Sequence, residues 1–285
     1  MSVLSRATDA MRLRMAEAIG HLSASVRVLP DFLILGAQRA GTASLYYTLT
    51  RHPCVVAAVR KEVNFFDFGY WRGPEWYRGF FPTRAAMASL RRDRGAAVTG
   101  EATPYYLFHP ASPARVKTVA PDARLIVLLR NPVDRAYSHF QREVAKGREP
   151  LAFAEALARE AERLRGEEER LRTDARYHSL AHQRFSYRAR GIYVVQLRAW
   201  MREFPRERFL ILESEALFAD PAPVLAEVTA FLNLPAWQPG TIGRHNQMRY
   251  TALDPTVRTD LEAFYTPYNA QLEALLGRTF SWGPR

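Results

Sequence analysis

The chain has 285 residues, 48% of them hydrophobic, and 40 Lys and Arg against 29 Asp and Glu give it a formal charge of +11. That describes a folded domain able to bury a core, not a disordered tail, and no apolar run approaches the ~20 residues of a membrane span. The single cysteine, Cys54, excludes an intrachain disulfide and a cysteine-based zinc site and fits a reducing cytoplasm, while the positive charge favours an anionic partner.

Residues 1–29 include MRLRMAEAIGHL, basic and amphipathic but without the continuous apolar stretch and cleavage site of a secretory signal. A surface helix is expected there, with peripheral membrane contact as a secondary role. Residues 30–285 are expected to form one domain. Within it, Phe32 to Leu35 is an apolar run too short for a helix and closed by a glycine, the pattern of a buried strand. Gly36 to Gly41 is a turn of small residues, and from Thr42 onward Leu45, Leu49 and the tyrosines recur at helical spacing. A strand, a glycine turn and a helix start together offer backbone N–H groups and a positive dipole end to an anion.

This is not a Walker A loop, because Gly41 is followed directly by Thr42 where that motif has Lys. The cation, Arg39, precedes the glycine instead. Such a loop suits a group-transfer donor with fewer charges than the Mg-nucleotide of a kinase. The alternative is an ordinary strand-to-helix turn with a chance basic residue. GAQRAGTASL resembles the 5′-phosphosulfate loop of sulfotransferases that use 3′-phosphoadenosine 5′-phosphosulfate (PAPS), where Lys usually stands at the position of Arg39. Arg keeps the charge and adds a planar fork of donors.

In VVAAVRKEVNFFDFGYW, residues 55–71, Lys61, Glu62, Asn64 and Asp67 lie beside Phe65 and Phe66. A carboxylate flanked by aromatics and a lysine suits a general base; an aromatic core segment edged by solvated charges is the plainer reading. The stretch resembles the KEvHFFD motif of heparan-sulfate-type sulfotransferases. The resemblance makes Glu62 the base that deprotonates the acceptor hydroxyl, with Lys61 matching beside it. Asn64 replaces the usual His; it orients neighbours by hydrogen bonding but cannot exchange a proton. Ala97 to Glu101 reads as a short strand leading into TPYY, similar to a GExxPxY stretch of the family. Asn64, Asp67 and Glu101 are placed on the acceptor side, with structural support the alternative for Glu101 and Thr103.

RLIVLLRNPVDRAYSHF, residues 124–140, holds a second buried strand, Leu125 to Leu129, and a helix with Pro132 in its first turn. Arg130 leaves the carboxyl end of the strand and Ser138 lies on the helix, so the two converge where open α/β sheets bind ligands. The alternative is a strand-to-helix corner with Arg130 and Arg135 in salt bridges. The segment resembles the 3′-phosphate-binding RNPxxRaySh of the family, which assigns Arg130 and Ser138 to that phosphate.

Residues 151–176 alternate Ala and Leu with Glu and Arg, a charged amphipathic helix interrupted at Gly166, with arginines and carboxylates at helical spacing. It reads as a solvated face. RFSYRARGIYVVQLRAWMREFP begins as a turn, with Arg188 and Arg190 assigned to surface salt bridges, contact with a nucleotide phosphate being the alternative, and becomes a helix with Tyr193, Leu197, Trp200 and Met201 on one face. A further strand, LILE, and a helix started by Asp220 and Pro221 follow. In GTIGRHNQMRY the family's basic glycine loop is loosely matched, which makes Arg244 a candidate phosphate ligand. The last segment, LEAFYTPYNAQLEALLG, reads as a helix broken at its proline.

The expected architecture is a three-layer α/β fold with a central, mainly parallel sheet and a P-loop-like strand–loop–helix. The resemblance implies sulfuryl transfer from PAPS to a hydroxyl of a carbohydrate or natural-product acceptor. Glu62, Lys61 and Arg39 would act on the reacting groups; Gln38, Arg39, Ala40, Gly41, Thr42, Ala43, Arg130, Ser138 and Arg244 would bind the donor. No metal is required, and the dispersed basic residues form no nucleic-acid motif. A nucleotide kinase and a non-catalytic nucleotide-binding protein are the alternatives.

Overall fold

The computed structural model describes residues 3–238, 240, 243, 245, 248 and 250–282, with the backbone alone at 3–10 and 12. Five parallel strands form one sheet: β1 Phe32–Gly36, β2 Val55–Ala57, β3 Val98–Ala102, β4 Arg124–Leu129 and β5 Phe209–Glu213, in the order β2-β3-β1-β4-β5. Every residue of β1 and Leu125–Leu129 of β4 are buried. Strands without a solvent face must be covered on both sides, which makes this the three-layer α/β arrangement expected from the sequence. The short edge strand β2 was not legible in the sequence; its three residues run from buried Val55 to exposed Ala57.

β1 lies between β3 and β4, with Leu33 in register with Glu101 on one side and Leu125 on the other. The turns that leave β1 and β4 therefore emerge side by side at the carboxyl edge, at the point where the strand order reverses. A ligand crevice belongs there. The helices α2 (Thr42–Leu49) and α3 (Pro132–Ala145) start at these turns. α3 is capped by Asn131, whose side chain accepts from the N–H of Val133 at 2.9 Å, with Pro132 in the first turn where its missing donor costs nothing. Gly41, before α2, has φ 95°, and a Cβ there would come within 2.8 Å of the Phe218 ring. Glycine is needed at that position on both counts.

The helix α1 (Val3–Leu22) precedes the sheet and packs closely on the rest: a Cβ at Gly20 would meet the Gly79 carbonyl at 2.1 Å. Further on, α4 (Tyr193–Glu203) buries Tyr193, Leu197 and Trp200. The charged region forms two helices, Phe153–Arg163 and Glu167–Thr173, separated at Gly166 in the left-handed conformation. It is not wholly a solvated face: buried Glu160 accepts the N–H groups of Arg188 and Ala189. The proline break expected near the end does not occur. α5 (Pro255–Leu276) runs through Pro267, which is exposed; water can satisfy the freed carbonyl, while buried Leu261, Tyr265 and Leu272 hold the helix on both sides.

Candidate active site

The crevice is a cleft of about 410 Å³ lined by both turns, the Lys61–Glu62 segment and residues of the C-terminal region. Its floor is the turn after β1. Gln38, Arg39, Gly41, Thr42 and Ala43 line it, and the N-cap of α2 is Gly41, which has no side chain to cap it. One member of the expected amide set is already engaged, since the Ala40 N–H donates to the Ala37 carbonyl at 3.1 Å. Arg39 adopts φ 72° and is pinned at both ends. Its Nε donates to Ser138 Oγ at 3.0 Å, and Arg130 donates to its carbonyl at 3.0 Å. Burial, then the nearby Arg142 and Arg130 cations, lower the Arg39 guanidinium to about 10; it stays charged at neutral pH.

Gln38 is held from below. Its side-chain oxygen accepts from Arg190, which also donates to the carbonyls of His182 and Gln183. Arg190 is 1% exposed, so the surface role assigned to it is wrong. Apolar residues around it hid its depth from the sequence.

The second wall is the turn at residues 61–64. Lys61 Nζ donates to Glu62 Oε1 at 2.6 Å, the lysine side chain 9% exposed and the glutamate 45%. The ammonium is thus tucked away and the carboxylate faces the cleft. Glu62 and Asn64 both have positive φ, 60° and 58°, on either side of fully buried Val63. Val63 is clamped at both backbone groups: its N–H donates to Glu101 Oε2 at 3.1 Å, and Arg60 donates to its carbonyl at 2.9 Å.

Glu101 and Asp67 are therefore not acceptor-side groups. Glu101 is fully buried and accepts four hydrogen bonds, from Tyr77 and Tyr106 on Oε1 and from Thr103 and Val63 on Oε2. Burial raises its carboxyl above the ordinary range against those four donors. Asp67, 1% exposed, accepts from Asn64 Nδ2 at 2.8 Å and from the Phe68 N–H at 2.7 Å. Burial pushes its carboxyl up to about 7. Both residues brace the turn from beneath, and Asn64 spends its amide on that brace while lining a neighbouring cavity.

α3 supplies the third wall, with Ser138 and, one turn later, Arg142. Arg142 was missed in the sequence, although its i+4 spacing from Ser138 marks the same helix face. The acidic groups of the cleft are largely engaged: Asp134 pairs with Arg258 at 2.7 Å, and Glu215 accepts the Asn131 N–H at 3.0 Å. Arg142 has no side-chain partner among the described residues and remains available to an anion. Across the cleft, His245 donates its N–H to Ser44 Oγ at 2.9 Å and lines the pocket with Tyr250. Arg244 lies outside the described residues. Among those residues, no three His, Cys, Asp or Glu side chains gather as a metal site.

Residues 29–252 match the sequence profile of the sulfotransferase domain. Mouse heparan sulfate glucosamine 3-O-sulfotransferase 6 is 29% identical, over 90% of this chain and 74% of its own length. Human heparan sulfate glucosamine 3-O-sulfotransferase 3B1 is also 29% identical, over 89% of this chain but 65% of its own length. Among solved structures, a sulfotransferase from Alicyclobacillus acidocaldarius aligns with TM-score 0.67 and 33% identity, covering 90% of this chain and 100% of that one.

Proposed function

Since the chain belongs to the sulfotransferase domain family and is a sulfotransferase, we propose that it uses PAPS to sulfate a hydroxyl of a sugar-containing or natural-product acceptor. The observation that carries this reading is the convergence on one cleft of the uncapped start of α2, the Arg130–Ser138 corner and the outward-facing Glu62 carboxylate. A nucleotide with charged groups at both its 5′ and 3′ ends fits two adjoining anion grips. The cleft, of about 410 Å³, lies in the size range of small-molecule sites.

The donor supplies the sulfuryl group, which leaves its 5′-phosphate oxygen as an O–S bond forms to the acceptor. Glu62 takes the acceptor's hydroxyl proton as that oxygen attacks. Arg39, the amides of Gly41 to Ala43 and the Thr42 hydroxyl stabilise charge growing on the leaving phosphate, a preorganised electrostatic contribution. Lys61 holds the Glu62 carboxylate in place and orients the sulfuryl oxygens. Arg130 and Ser138 hold the 3′-phosphate, and Arg142 adds a further cation to the cleft.

Thermal unfolding with 3′-phosphoadenosine 5′-phosphate tests the donor, because a ligand of the native state raises the midpoint. A metal-independent rise that AMP does not reproduce is expected. A rise with Mg-ATP and none with the bisphosphate points to a kinase and overturns the reading. Glu62→Gln is expected to lower kcat by about 10²–10⁴-fold with bisphosphate affinity retained; full activity in that variant removes Glu62 as the base.

A further inference from the structure

α1 carries an apolar stripe that the domain leaves uncovered. Met11, Met15, Ile19 and Leu22 are 61%, 57%, 57% and 91% exposed. Their spacing of four, four and three residues aligns them along one side of the helix. A surface helix ordinarily turns its apolar side inward, but the inward seam of α1 is made by other residues. Glu17 pairs with Arg60 at 3.3 Å, Gly20 rests against Gly79, and His21 stacks on Trp76 with ring centroids 5.5 Å apart. At about 100° per residue, the stripe lies nearly half a turn from this seam. Docking α1 by the seam therefore leaves the stripe outside.

The surface beside the stripe is cationic. A cavity of about 530 Å³ opens between α1 and residues 60–76, with Arg14, Arg60, Arg72, Trp71 and Trp76 in its lining. The Arg72 guanidinium lies over the rings of Trp71 and Trp76 at 4.6 and 5.0 Å, and Trp71 is 49% exposed. The one acidic residue in the lining, Glu17, already pairs with Arg60. Arg14 has no side-chain partner among the described residues.

We propose that this face docks the protein on an anionic phospholipid surface. The stripe enters the boundary between headgroups and acyl chains, while Arg14 and Arg72 meet lipid phosphates and Trp71 sits at headgroup level. Among the described residues no helix is long and apolar enough to cross a membrane, so the contact is with the surface. A second copy of the chain would also cover the stripe. A second copy, however, would bring another chain of formal charge +11, whereas an anionic surface complements the arginines. Asn64 lines this cavity and Glu62, two residues earlier, lines the cleft, so the 61–64 turn is the wall between membrane face and site. The docking does not depend on the donor or the base proposed above.

The test is co-sedimentation of the full chain with vesicles of phosphatidylcholine alone and of phosphatidylcholine mixed with phosphatidylglycerol. Binding to the mixed vesicles, weakened by high salt, is expected. Met15→Glu with Ile19→Glu should lower the partition coefficient by at least about tenfold. Arg14→Glu with Arg72→Glu should lower it by at least about fivefold on anionic vesicles. Retained thermal midpoints would show that both variants fold. Absence of binding to anionic vesicles, or binding that both variants leave within about twofold, overturns the proposal. So does a dimer in analytical ultracentrifugation that Met15→Glu with Ile19→Glu dissociates, because a second copy then covers the stripe.

Discussion

Glu101→Gln asks whether the strained turn that presents Glu62 is held from beneath. In the native site one oxygen of Glu101 takes Tyr77 and Tyr106, at 2.9 and 2.8 Å, and the other takes Thr103 and Val63, at 2.6 and 3.1 Å. A glutamine can keep its oxygen toward the two tyrosines, which turns its amide nitrogen toward Val63 and Thr103. The threonine hydroxyl can rotate and accept. The Val63 N–H cannot, so one buried donor is left facing another and one charge-assisted bond is lost. The cost is about 2–3 kcal/mol, or a fall of roughly 4–12 °C in the thermal midpoint, at about 2–4 °C per kcal/mol. Once Val63 is released, Glu62 is free to leave a backbone conformation that costs on the order of 1–3 kcal/mol. Turnover should then fall at least about tenfold, a loss of only ~1.4 kcal/mol of transition-state stabilisation. Bisphosphate affinity should stay within about twofold, because the turn before α2 is untouched. The measurements are urea unfolding, steady-state sulfuryl transfer and nucleotide titration. A stability loss below about 0.5 kcal/mol with native turnover would refute the brace, and a weakened nucleotide grip would move Glu101 into the donor site.

Asp67→Asn should change the pH dependence of folding. The Asp67 carboxyl lies at about 7 in the folded chain against the ordinary aspartate value of 3.8, so between these values the folded state holds the proton more tightly. Its contribution to stability is full below about pH 4 and is lost as pH rises through 7, on the order of 4 kcal/mol in all. In Asp67→Asn, with Asn64 flipping its amide to accept, urea midpoints from pH 4 to 7 should vary less by about one proton's worth of slope; an unchanged slope refutes the assignment. Arg142→Ala removes a cation without a described partner, so thermal stability should change by less than about 0.5 kcal/mol. The KM for donor or acceptor should rise about tenfold, in line with a charged hydrogen bond of ~1.5 kcal/mol. Native kinetics would mean that Arg142 meets only solvent.

How much of this was legible follows from the range over which each signal acts. β1, β4 and β5 announced themselves because parallel strands covered on both faces are continuous apolar runs, as in FLIL and LIVLL. The two strand-to-helix corners were equally plain, since glycine at 41 and proline at 132 act on their own backbones. Glu101 and Asp67 were misplaced for the opposite reason. A carboxylate near aromatic residues has the same sequence signature whether it faces the cleft or lies under it, and only the folded partners decide: the tyrosines at 77 and 106 on Glu101, Asn64 and the Phe68 N–H on Asp67. Arg190 was misjudged similarly, because its partners, Gln38 and the carbonyls near 182, come from the opposite side of the loop. Pro267 did not break α5 because its exposure, a tertiary property, removes the cost that local propensity assigns to it.

The same logic explains where the backbone departs from ordinary preference. Among the described residues, the non-glycine positions with positive φ are Arg39, Glu62, Asn64 and Asn233. Asn233 follows the helix Pro221–Phe231, a helix end where asparagine takes the left-handed conformation readily. The other three have no such local excuse, and Arg39 and Glu62 are long side chains that gain nothing from it locally. What sustains them is tertiary: Ser138 and Arg130 on Arg39, and Glu101 and Arg60 on the Val63 peptide groups. Arg39 and Glu62 thus stand where a functional side chain leaves the backbone toward the cleft, the first held by Ser138 of α3 and by Arg130 just past β4, the second through Val63 by Glu101 of β3. A turn free to relax would lower that strain and misdirect the side chain. Holding the cation and the carboxylate in unfavourable backbone conformations through distant partners fixes both before any ligand arrives, so that little reorganisation is left for the reaction itself.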